Sequence, residues 1–139
     1  MLLVGGVLWS KSNQSSNLDI ISQSGIHWHP SLAIYVNGRQ IEIPANTGIG
    51  PQFANTRGYD PQMQMAAVHT HEDLPLIHLE FMSGPVYKED VNLGQFFKIW
   101  GKDIHSFGTD LRMTVNGVEN TELDRYVMHD GDKIELRYQ

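Results

Sequence analysis

The chain has no cysteine among its 139 residues. That absence excludes disulfides, thiolate metal sites and cysteine nucleophiles, and leaves the redox compartment undetermined. Positive charge is also scarce: 10 Lys and Arg stand against 16 Asp and Glu, a net charge of −6 at pH 7. Nucleic-acid binding draws its affinity from clustered Lys and Arg, and no such cluster is present, so nucleic acid is not an expected partner. No apolar run approaches the ~20 residues that a membrane-spanning helix requires. P-loop, dinucleotide-type glycine pattern and Ser-His-Asp order are all missing.

What the chain does have is histidine in bursts. Five of the seven histidines fall in Ile26-His27-Trp28-His29-Pro30, Val68-His69-Thr70-His71-Glu72 and Leu76-Ile77-His78-Leu79-Glu80. Two of these segments contain His-X-His inside apolar, strand-like sequence. Alternate strand residues share a face and rise ~3.3 Å each, so two such imidazoles start ~6.6 Å apart and can converge on one ion. Neutral imidazole is the commonest ligand for zinc and copper.

The N-terminal stretch Met1-Leu2-Leu3-Val4-Gly5-Gly6-Val7-Leu8-Trp9 reads as the remnant of a membrane anchor or signal sequence, with a polar Ser/Asn linker behind it up to residue 19. Trp9 and Lys11 suit a membrane boundary. The alternative is a first strand packed into the core. A single domain is expected over 20–139, with its core burying roughly two-thirds of the unfolded surface.

Within that domain, 26–36 has strand character, and Asn37-Gly38 predicts a tight hairpin turn leading into 39–43. Residues 45–62 carry three glycines and two prolines and read as a long loop. A second hairpin is expected from strands over 66–71 and 76–82. One helix is predicted over 91–101, where Leu93, Phe96, Phe97 and Trp100 recur at helical spacing and Gly101 is placed as its C-cap. Strands over 111–115 and 133–138 close the chain, with Asn116-Gly117 as another turn. The expected class is α+β, mostly β hairpins forming a sheet around one helix.

Val115-Asn116-Gly117-Val118 and His129-Asp130-Gly131-Asp132-Lys133-Ile134 resemble the closing strands of ubiquitin-like β-grasp domains, which implies a sheet wrapped on a single helix. A longer set of segments resembles prokaryotic, often membrane-anchored, His-rich domains: His27-Trp28-His29, Tyr35-Val36-Asn37-Gly38, Ile43-Pro44-Ala45-Asn46-Thr47-Gly48-Ile49, His69-Thr70-His71, Ile77-His78-Leu79-Glu80 and Leu93-Gly94-Gln95-Phe96-Phe97. That likeness implies one domain and a cell-envelope or extracellular location, and no activity. Relatives often carry histidine at the position of Ser31.

Phase decides which side chains cooperate. His27, His29, Ser31, Ala33 and Tyr35 share one face of the first strand, His69 and His71 one face of the next, and His78 and Glu80 one face of its partner. The expected ligands are His27, His29, His69, His71 and His78, with Glu80 or Asp73 orienting a ring. The two bursts are expected to be neighbours in space. His105 and His129 read as surface residues.

Copper leads zinc in the Irving–Williams order; Met63 and Met65 in the same alternate phase read first as an apolar pair anchoring the loop, and as thioether ligands they would favour Cu(I). The favoured function is an extracytoplasmic module binding copper or zinc. One alternative is a metalloenzyme with an open histidine-ligated site, although the glutamate that cupins place three to four residues after His-X-His is not there. The other is a homo-oligomeric surface assembly with metal- or pH-dependent contacts.

Overall fold

A computed structural model describes residues 19–139. The expected anchor remnant and nearly all of its linker therefore lie outside the described residues. Among those described, ten strands and one α-helix form a mixed α+β fold that is mostly β, and no helix is long and apolar enough to cross a membrane.

Five strands make the main sheet: β3 (Ser31–Val36), β4 (Arg39–Ile41), β8 (Arg112–Val115), β9 (Val118–Asn120) and β10 (Lys133–Tyr138), in the order β4-β3-β10-β8-β9. β3 and β10 are parallel at its centre and every other pair is antiparallel. Both hairpins turn on Asn-Gly as expected, with Asn37 at φ 51° and Gly38 at 79°, and Asn116 at 53° and Gly117 at 82°. Such φ values suit the turns whose twist matches the flanking strands.

One face of this sheet carries Leu32, Ile34, Met113, Val115, Ile134 and Leu136, all buried in a single core with the helix residues Leu93, Phe96, Phe97 and Ile99. The helix, α1 (Leu93–Trp100), begins where the Asn92 side chain accepts from the Gln95 N–H at 2.8 Å and ends at Gly101, whose φ is 79°. Trp100, placed by its spacing in the core stripe, is only half-buried. It packs among Phe96, Phe97 and Phe107 at ring distances of 5.5–5.9 Å. One sheet on one helix is compatible with the β-grasp expectation.

Two smaller sheets complete the fold. β1 (Ile20–Ser22) pairs with β7 (Val86–Tyr87), an association with no clear sequence signature. The second holds β2 (Ile26–Trp28), β5 (Val68–His69) and β6 (His78–Phe81), in the order β2-β6-β5.

The single strand expected over 26–36 is thus two strands in two sheets. The break falls at His29-Pro30, and proline has no N–H to extend a ladder. Around it the chain is held by other donors: Ile77 N–H to the Pro30 carbonyl at 2.8 Å, Leu32 N–H to the Pro75 carbonyl at 3.0 Å, and Ser31 N–H to the Asp132 carbonyl at 2.7 Å. Ser31 therefore belongs with the main sheet and His27 with the small one, while His29 lies at the break between them. The strands expected over 66–71 and 76–82 are likewise shorter. Met63 and Met65 do not continue the β5 alternation, because residues 61–64 form turns with Gln64 at φ 53°. The thioether argument for Cu(I) lapses with that phase.

Candidate metal centre

β6 is the middle strand of the small sheet, and its register places the two histidine bursts on either side of one face. His69 of β5 lies directly opposite His78. His27 of β2 lies directly opposite Glu80. Strand order, which the sequence could not supply, thereby joins both bursts. The opposite face of β6, with Leu79 and Phe81, is buried in the apolar core.

The five predicted rings form an unbroken ladder. Ring centroids are 4.8 Å apart for His27 and His29, 4.7 Å for His29 and His78, and 4.7 Å for His78 and His71. His69 stands 4.7 Å from His71 and is stacked on His78 at 5.2 Å. His29 and His71 are each 4.7 Å from His78, so they lie no further apart than twice that distance. Their expected proximity holds. His105 and His129 are exposed, as expected, and His129 stacks on Trp28 at 5.6 Å.

His69 is the most constrained of the five. Its side chain is fully buried, and its Nδ1 lies 2.7 Å from the Ala66 carbonyl oxygen. A carbonyl can only accept, so Nδ1 carries the proton and Nε2 presents a lone pair. Among the described residues that Nε2 has no hydrogen-bond partner. An unsatisfied buried polar atom costs about 1–3 kcal/mol, and native proteins leave few of them. A backbone carbonyl on the other ring nitrogen is also how metal-binding imidazoles are commonly oriented.

A strap from the loop holds His69 in place. Asn46 N–H donates to the Thr70 carbonyl, Thr70 N–H to the Thr47 carbonyl and Ala66 N–H to the Gly48 carbonyl, at 2.8–3.1 Å. Gly48 has φ 84°, and a Cβ there would sit 2.6 Å from the Val68 carbonyl oxygen and 3.0 Å from His69 Cβ. Only glycine permits this approach. The long loop expected over 45–62 is in this segment a clamp on a histidine.

His78 is gripped at both nitrogens. Nδ1 lies 3.0 Å from Glu80 Oε1, and Nε2 lies 3.0 Å from both Asp73 carboxylate oxygens. Both carboxylates expected to orient a ring do so, and on the same ring. The His78 hydrogen bond holds the Asp73 carboxyl below its ordinary range. Burial alone would raise the Glu80 carboxyl, but the His78 hydrogen bond and the neighbouring His69 and His27 bring it below its usual value.

His71 is half-buried two residues beyond β5, and His69, His71 and His78 each offer a ligand atom within 4.8 Å of the others. Bonds of 2.0–2.1 Å would set tetrahedral ligands about 3.4 Å apart, so ring rotations that also tilt the stacked His69 and His78 out of parallel would bring this trio onto one ion. His27, His29 and Glu80 make a second such group, more exposed.

Asp130 is a residue that the histidine pattern did not reveal. Its Oδ1 accepts from the His29 N–H at 2.8 Å, across a separation of 101 residues. The His129-Asp130-Gly131-Asp132 turn, legible only as the start of a closing strand, also fixes one end of the site.

Burial lowers the His69 pKa below its ordinary 6.5, and the Ala66 and Glu80 contacts offset this only in part. The unfolded chain therefore takes up a proton at His69 before the folded one does. It follows that apo stability from this residue is fully present above pH 6.5 and declines as pH falls below it, toward the lower folded-state value. Urea midpoints of the apo protein should drop between pH 7.5 and pH 5.5, a window above the range where Asp73 and Glu80 titrate. An unchanged midpoint would mean that His69 is not held neutral by burial.

Comparison with protein-family models, with curated proteins and with solved structures finds no match to this chain.

Proposed function

We propose that the protein is a transition-metal-binding module that holds copper or zinc at His69, His71 and His78. The observation that carries this reading is the buried Nε2 of His69, without a hydrogen-bond partner among the described residues, with its Nδ1–H fixed on the Ala66 carbonyl. A neutral imidazole beside His71 and His78, its free nitrogen 3.7 Å from Glu80 Oε1 and with Asp73 close to His78, offers nitrogen donors and compensating negative charge to a divalent ion. When an ion takes one nitrogen of His78, the carboxylate on the other keeps that ring oriented.

The resemblance to membrane-anchored His-rich domains supports placing the module outside the cytoplasm, tethered through its N-terminal segment. The same trio also supports a second reading as a hydrolytic metal site, because three imidazoles leave the fourth tetrahedral position to water.

Elemental analysis of tag-free protein, purified without metal resin, tests the first reading. Copper or zinc should be retained in stoichiometric amount. Adding the ion to apo protein should raise its stability by about 2.7 kcal/mol when the free ion is at 100 times Kd. Affinity should be weaker at pH 5 than at pH 7.5, since imidazole must be deprotonated to bind. Absence of metal, or equal affinity at both pH values, would refute histidine ligation.

A further inference from the structure

We infer that the cluster holds two ions: an inner one at His69, His71 and His78, and an outer one at His27, His29 and Glu80, with the Glu80 carboxylate between them. This rests on the metal-binding reading above and extends it.

The geometry argues against one shared ion. The five rings stand in a ladder with neighbouring centroids 4.7–5.2 Å apart, spread over all three strands of the small sheet. A single tetrahedral ion takes four ligand atoms about 3.4 Å from one another and cannot reach every rung. With the Glu80 carboxylate, the five rings instead divide into two groups of three ligands, each with its ligand atoms within 4.8 Å. Glu80 sits at the join. Its Oε1 is 3.8 Å from His27 Nε2 on one side, 3.7 Å from His69 Nε2 on the other, and 3.0 Å from His78 Nδ1. A carboxylate has two oxygens and about four lone-pair positions, enough to ligate the outer ion while still accepting from an inner imidazole.

The two positions differ in access. The His27 side chain is 69% exposed, whereas that of His69 is fully buried. The Asp130 carboxylate fixes the His29 backbone, so the outer group is positioned even though it faces solvent. The outer ion is the one that exchanges with solution, and the inner one is retained.

The test uses the full, tag-free chain with Zn²⁺ as the probe. Bound metal is measured after equilibrium dialysis, and its removal by an excess of chelator is timed. The wild type should bind two ions, one stripped at least tenfold faster than the other. The H27A/H29A double variant should lose the fast ion and keep the slow one with its affinity changed less than tenfold. These side chains lie at the exposed end of the ladder, and circular dichroism checks that the fold persists. Glu80→Gln should remove the fast ion and weaken the slow one. If the wild type binds one ion, the inference fails, whether or not the double variant alters it. If it binds two and the double variant keeps both, the outer ligands are misassigned and the inference fails. If it binds none, the metal-binding reading fails as well.

Discussion

His71→Ala is expected to abolish binding at the inner position, lowering affinity by more than about 100-fold, while the apo fold stays intact. Changing a residue that only orients a ligand typically costs a metal site 10–100-fold, and removing one of three ligands should exceed that. The fold should survive because His71 is half-buried, lies two residues beyond β5 and makes none of the strap's backbone hydrogen bonds. Metal titration and circular dichroism on the same sample decide the matter. A variant that unfolds while the apo wild type is stable would make His71 a structural residue. One that binds as tightly as the wild type would remove it from the ligand set.

Phe96→Ala should have the opposite signature, a severe loss of stability without any change in ligands. The Phe96 side chain is completely buried, with Phe97 and Trp100 at 5.7 and 5.9 Å between ring centres. Truncating a buried aromatic costs about 3–5 kcal/mol, out of a total stability of about 5–15 kcal/mol. The urea midpoint should fall accordingly. Trp100→Ala should cost less, because that ring is half-buried. If the two variants proved equally destabilised, the helix would be seated differently from its place here.

The helix, both Asn-Gly turns and the α+β class were legible from residues 26 onward. Each depends on local chemistry: apolar spacing in 93–100, and positive φ at two adjacent turn positions. The ligand candidates were legible in the His-X-His spacing, although His29 and His71 lie just past the ends of β2 and β5, outside the strand alternation that singled them out. Strand order was not legible. Nothing in Ile26-His27-Trp28 announces that it will pair with β6, because that choice depends on where the chain is free to turn. Pro30 was the overlooked signal, a residue without an N–H in the middle of a supposed eleven-residue strand. The β1–β7 pair and the Asp130 contact escaped because they join segments far apart in sequence with no matching pattern.

The 101-residue separation between Asp130 and His29 also bears on the order in which the site comes together. His69 and His78 meet across a hairpin, and hairpins close in about 1–10 μs. The outer pair reaches its position only when β2 joins the far side of β6 and the turn before β10 closes on His29. Such contacts carry a larger loop-closure cost and form more slowly. On these grounds the five rings should come together from the inside outward: His69 and His78 meet in an early, local hairpin, and His27 and His29 are added when the C-terminal strand docks.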